Sequence, residues 1–197
     1  MKNPNATTHP VRTALTNIVW SLVRFREAGI SLFILILVVL VTLREPSFLT
    51  LDNFNDILLN ISILVIVALG QTMVIITHGI DLSVSSIIGL VAMMIAFVVK
   101  QNPEMPVIFA VFLGMTLGSV LGMFNGLIIT RGNVPPIIAT LGTLSIYRGL
   151  VFLYSQGTWI NSFELPGNFK ILSKGTPLGL PNMVIIAIVV ALIVFYF

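Results

Sequence analysis

The chemistry this chain could do is concentrated in a few polar side chains set among apolar ones. "ITHGIDLSVSS", residues 76–86, places His78, Asp81 and Ser83 between two long apolar runs. Upstream, Asn60, Val67, Gln71 and His78 fall within about 40° of one another if one helix carries them all. Downstream stand Asn125, then Thr140, Thr143, Tyr147 and Tyr154 in one sector of about 60°, with Arg148 beside it. The hydroxyls and rings of this last sector suit a neutral polyol, which needs hydrogen-bond partners and flat apolar faces together, and the amides and imidazole upstream could line a polar passage. Each group also has a plainer reading. Asn125 could be an amide bonded across a helix interface, Asn60, Gln71 and His78 could bind neighbouring helices together, and Arg148 could be an anchor that snorkels or pairs with an acid. Asp81 or Ser83 could cap the helix that follows.

Other chemistries lack their residues. Histidine occurs only at positions 9 and 78, there is no cysteine, and no H-E-x-x-H, G-x-S-x-G or phosphate-binding G-x-x-x-x-G-K-[ST] is present. The sequence therefore calls for no catalytic set, no metal and no cofactor. Any uphill transport would draw its energy from a partner or an ion gradient. The net charge of +3 comes from scattered Lys and Arg and is no nucleic-acid signature.

The elements that must hold these groups are apolar helices. Of the residues, 57% are hydrophobic and 9% charged, against about 25% charged in soluble domains, and the mean hydropathy is +1.08. Spans are predicted at 28–43, 57–77, 84–99, 106–130, 137–154 and 182–197, all helical because an open sheet edge cannot be satisfied in lipid. The fold class expected is all-α, a polytopic transmembrane bundle with about six spans seen here. The first span reads as a retained anchor, since no small-residue cleavage pattern follows it. Residues 155–181, rich in Gly, Pro, Ser and Asn, read as an external loop with room for a short surface helix. The last span would cover about 24 Å of a core of about 30 Å and reads as a helix cut within its length.

Residues 1–27 form a separate N-terminal segment and 28–197 a membrane domain. Val11, Leu15, Ile18, Val19 and Leu22 at helical spacing, among Arg12, Arg24 and Arg26, suit a helix on the membrane surface or a solvated linker. With Lys2 these cations precede the first span, which puts the N-terminus in the cytoplasm. In the fourth span Gly114, Gly118, Gly122 and Gly126 make a slowly winding groove for a neighbouring helix. Gly142, Ser145 and Gly149 offer the same on the fifth, opposite its hydroxyls and rings.

"HGIDLSVSS" together with "NGLIITRGNVPPIIATLGTLSIYRGLVF" resembles the membrane permease of bacterial ABC sugar importers of the ribose, xylose, rhamnose and autoinducer type, and the likeness extends through "EPSFLTLDNF" and "LPNMVIIAIVVALIV". In that family the first motif usually reads G-G-I-D-L-S-V-G-S, so His78 and Ser85 stand where glycine is usual. The resemblance implies an inner-membrane permease subunit working as a pair, homo- or heterodimeric. It also implies sugar delivered by a periplasmic binding protein, a pentose or a rhamnose-like deoxyhexose among the options, and a separate cytoplasmic ABC ATPase that hydrolyses ATP. The resemblance further implies that Asp81, Asn125, Thr140, Gly142 and Arg148 sit in motif positions near the translocation region, as part of a larger permease fold. A gradient-driven carrier and a non-transporting scaffold are the alternatives.

Overall fold

A computed structural model describes residues 26–176 and 179–196. The surface helix expected before residue 26 lies outside the described residues. Among them are seven α-helices, two short 3-10 turns and no strand. By contact the chain forms two units, Met1–Phe54 and Asn55–Phe197.

In the first unit α1 (Arg26–Arg44) is followed by a 3-10 turn, Pro46–Leu49. Proline suits the start of such a turn because its fixed φ is already helical and its missing N–H would have no partner there. Ser47 donates to the Glu45 carboxylate at 2.8 Å, and the Asn53 amide donates to the Phe48 carbonyl at 2.7 Å, fixing the corner.

The second unit holds most of α2 (Leu51–Ile76) and then α3 (Val84–Gln101), α4 (Val107–Thr130), α5 (Pro136–Ser155), the turn Ser162–Glu164, α6 (Gly167–Lys174) and α7 (Asn182–Tyr196). Helices α2 to α5 are long and apolar enough to cross a membrane. The apolar part of α1, Ala28–Arg44, and α7 are shorter than that, so four of the six predicted spans meet the length and two stand as shorter apolar helices. The predicted loop 155–181 does carry a short helix, α6.

Helix boundaries follow from the residues at them. Pro106 precedes α4, and Pro135 with Pro136 opens α5, where missing N–H groups cost nothing. Gln156 at φ 50° and Gly157 at φ 74° then end α5 in the left-handed region. At the end of α4, Gly132 is required because a Cβ there would lie 2.4 Å from the Ile128 carbonyl oxygen.

Helix α3 is the hub, packing on α4 and α5, which also touch each other, while α6 lies on α7 and reaches α4. Ile95, Val99 and Ala110 form the dense part of the core, with Leu113, Leu117 and Phe169 against them. The Phe97 and Tyr154 rings meet edge to face at 5.5 Å. Buried side chains include Ser62, Ser83, Ser86, Asn125, Thr140, Thr143 and Ser155, whereas Phe109, Phe112, Met115 and Phe152 are exposed. Polar inside and apolar outside is the pattern of a bundle surrounded by lipid, where the outer face has no reason to be polar.

Candidate translocation site

The interruption at "ITHGIDLSVSS" is a break between helices held inside the bundle. Helix α2 stops at Ile76 with His78 at φ 60°. The His78 N–H donates to the Ile75 carbonyl at 2.9 Å and the Gly79 N–H to the Val74 carbonyl at 3.0 Å. This is a Schellman ending, with His78 in the left-handed position that glycine fills at least cost. One helix therefore does not carry the whole stripe from Asn60 to His78, and its helical part ends at Gln71. Ser85, the other residue in place of glycine, lies within α3 and needs no unusual backbone.

From the break, a chain of hydrogen bonds crosses four elements. Gln71 on α2 donates through Nε2 to the Asp81 carbonyl at 2.7 Å. Asp81 Oδ1 accepts from the Ser83 N–H at 2.8 Å and from the Ser83 hydroxyl at 2.6 Å. Asn125 on α4 donates through Nδ2 to Ser83 Oγ at 2.6 Å. The Tyr147 hydroxyl on α5 reaches Asn125 Oδ1 at 3.4 Å and the Leu121 carbonyl at 3.1 Å. Thr140 adds a longer contact to the Ile80 carbonyl at 3.3 Å while bonding Pro136 in its own helix at 2.8 Å.

Ser83 is 0% exposed, Thr140 1% and Asn125 3%, and no buried side-chain polar atom of the described residues lacks a partner. Such a network is stiff, because every unpaired member would carry a desolvation penalty. Ser83 does stand at the N-cap of α3, as expected of the motif, but its side chain caps no helix N–H. Its hydroxyl is committed to Asp81 instead, and its carbonyl takes the hydroxyl of Ser86 at 2.7 Å.

The break is sunk below the helix ends. Asn125 precedes the last residue of α4 by about five positions and Thr140 follows the first of α5 by about four, so the Ile80–Ser83 backbone lies about 6–8 Å inside them. Non-helical backbone is tolerated at such depth only when buried in protein or lining a wet cavity. The Asp81 carboxylate is half-buried, and its second oxygen takes no hydrogen bond among the described residues.

The structure thus gathers Gln71, Asp81, Ser83, Asn125, Thr140 and Tyr147. Thr143 is buried beside them but bonds the Thr140 carbonyl of its own helix. Asn60 bonds the Asp56 carbonyl near the other end of α2, and His78 is exposed. Arg148 is exposed on α5. Of the glycines in α4, Gly114 would bring a Cβ to 3.6 Å from Ile95, whereas Gly118, Gly122 and Gly126 meet nothing among the described residues, as is true of Gly142 and Gly149 on α5. The hydroxyl-bearing sector of α5 is the one that packs, and its small-residue sector is the one left open.

Sequence reasoning missed Ser86, whose spacing of three from Ser83 was the available signal. It also missed two ion pairs, Lys100 with Glu164 and Lys174 with Asp56, whose partners are too far apart in sequence for any local pattern. At Glu164 the Lys100 ammonium, and then the Asn161 N–H at 2.7 Å, hold the carboxyl below its usual range.

The family described as "branched-chain amino acid transport system / permease component" matches residues 53–197. The chain is 35% identical over 159 residues to the autoinducer 2 import system permease protein LsrC of Enterobacter sp. (strain 638), covering 81% of this chain and 45% of that protein. It is 37% identical over 156 residues to the ribose import permease protein RbsC of Bacillus subtilis (strain 168), covering 79% and 48%. LsrC of Yersinia pseudotuberculosis serotype O:3 is 36% identical over 166 residues, with 82% and 46% covered. The chain spans under half the length of these relatives. No solved structure matches it.

Proposed function

This chain belongs to the branched-chain amino acid transport system permease-component family, and we propose that it is the N-terminal part of the permease subunit of an ATP-driven importer of small neutral carbohydrates. It is a multi-pass membrane protein. In the proposed assembly it lies in a bacterial inner membrane with residues 1–27 in the cytoplasm and 28–197 as membrane domain. It pairs with a second permease subunit, receives its solute from a periplasmic binding protein and is driven by a separate cytoplasmic ATPase. The ribose and autoinducer 2 permeases among its relatives support the carbohydrate class.

The observation that carries the reading is the sunken, unwound segment that the Gln71–Asp81–Ser83–Asn125–Tyr147 chain holds in place. A soluble-protein loop would lie at the surface, and a mere helix connection would need no bonds to three helices. Held this way, the segment presents a carboxylate oxygen and backbone polar groups within the membrane, where a hydroxylated solute could exchange hydrogen bonds with them. Gln71, Asn125, Thr140 and Tyr147 position that segment, and Thr143 packs behind it.

Uptake of labelled ribose, rhamnose, autoinducer 2 and leucine by cells with and without the chromosomal gene tests the reading. Loss of one sugar-type solute, with uptake abolished by arsenate and insensitive to a protonophore, is expected. Loss of leucine uptake alone would move the substrate to branched-chain amino acids. Sensitivity to the protonophore alone would make this a gradient-driven carrier, and no loss at all a scaffold.

A further inference from the structure

The inward side of α5 is occupied by α3 and α4, and within the second unit its opposite side has no neighbour among the described residues. Nothing lies within 4 Å of a Cβ built at Gly142 or Gly149. Ser145 turns its hydroxyl back to the Leu141 carbonyl of its own helix at 3.2 Å, and Leu141 and Phe152 are exposed. Among them stands Arg148, about 10 Å along the helix from the nearer end of α5 and about 18 Å from the other. The ion pairs of the described residues are Lys100 with Glu164 and Lys174 with Asp56, and Arg148 makes no hydrogen bond among those residues. Lipid chains offer a guanidinium no partner.

We propose that this side of α5 seats a transmembrane helix from permease sequence outside these residues, which approaches over Gly142, Ser145 and Gly149 and pairs a carboxylate with Arg148. Two features fit one occupant. The small residues admit a close backbone, and the planar guanidinium takes both oxygens of a carboxylate at a fixed angle. Within this chain no apolar stretch carries an acid at its middle. Asp81 lies at the level of Thr140, about 12 Å nearer the start of α5, with Oδ1 already bonded to Ser83. A second copy packing α5 on α5 about a two-fold axis would bring Arg148 against Arg148, so like charge disfavours it. The relatives, of which this chain covers under half, have the additional sequence from which such a helix would come. The proposal rests on the membrane placement of α5 and is independent of which solute is carried.

Photo-crosslinking in native membranes tests it. A benzoylphenylalanine replaces Phe152, and in a second strain Leu141, in the permease expressed from its own locus; crosslinked peptides are then identified by mass spectrometry. One apolar peptide containing Asp or Glu, from permease sequence outside residues 1–197, is the expected product. Crosslinks to lipid alone, or to residues 1–197 of a second copy, overturn the proposal. In the same strains Arg148→Lys should keep most of the crosslink and Arg148→Gln reduce it at least fivefold, whereas an unchanged yield in Arg148→Gln rejects the ion pair. If Arg148→Gln does not accumulate, Arg148→Glu combined with Arg at the crosslinked acid must restore protein level and crosslinking, and failure to do so likewise rejects it. No arm depends on uptake, so a wrong substrate leaves the result intact.

Discussion

Asp81 separates a structural hook from a functional charge, and two substitutions tell them apart. Oδ1 accepts two hydrogen bonds from Ser83, one of them from a backbone N–H that is buried with the rest of that residue. Asp81→Leu removes both acceptor contacts and orphans the buried N–H. Hydrogen bonds to charged groups are worth about 1.5 kcal/mol or more each, and those inside membrane bundles average less, about 0.6 kcal/mol, so the loss of two should be about 1–3 kcal/mol. Asp81→Asn keeps an acceptor oxygen in the same place and forfeits only the assistance of charge, about 1 kcal/mol. The full-length permease in detergent, followed by size-exclusion after heating, should show Asp81→Leu melting several degrees below Asp81→Asn, which stays near the parent. If Asp81→Asn folds but does not transport, the carboxylate charge itself serves translocation. Equal melting of Asp81→Leu and the parent would refute the hook, because two lost bonds in a buried network cannot leave stability unchanged.

His78 holds φ 60° without being glycine, so His78→Gly should raise stability by about 0.5–1 kcal/mol, read as an upward melting shift. Gly132→Ala should cost about 1–3 kcal/mol, since its Cβ would press 2.4 Å from the Ile128 carbonyl, which as backbone cannot swing away; reduced accumulation and melting temperature are the readouts. The depressed carboxyl of Glu164 stabilises the loop where the carboxylate is charged in both states, above about 4.5, and that contribution fades as pH falls from there through the lower folded value. The protection factor at Asn161, its exchange rate taken relative to the intrinsic rate at the same pH, should therefore fall between pH 5 and pH 3 in the parent, and Lys100→Met should already be less protected at pH 6 and show a smaller step.

Composition and periodicity alone made this an all-helical membrane chain, because long apolar runs with few charges have one stable form in lipid. The positions of α2 to α5 were readable to within a few residues, apart from the start of α2, since Pro106, Pro136 and the Gly-containing ends mark boundaries by local backbone chemistry. The motif around Asp81 could be singled out by its polarity, and Asn125 and Tyr147 by theirs. What the sequence could not state is that these residues join. Asn125 meets Ser83 across 42 positions, and Tyr147 turns toward Asn125 only because α5 packs its hydroxyl side on α3 and α4. Periodicity defines which residues share a side of a helix but not which side a neighbour covers. The span predicted to end at residue 77 does end next to it, at Ile76; what local sequence did not show is that His78 itself takes the left-handed position, held there by the Schellman bonds to Val74 and Ile75. Local chemistry thus set the helices, and packing, which depends on where the other helices lie, decided which polar groups share one site and left Arg148 on the open side.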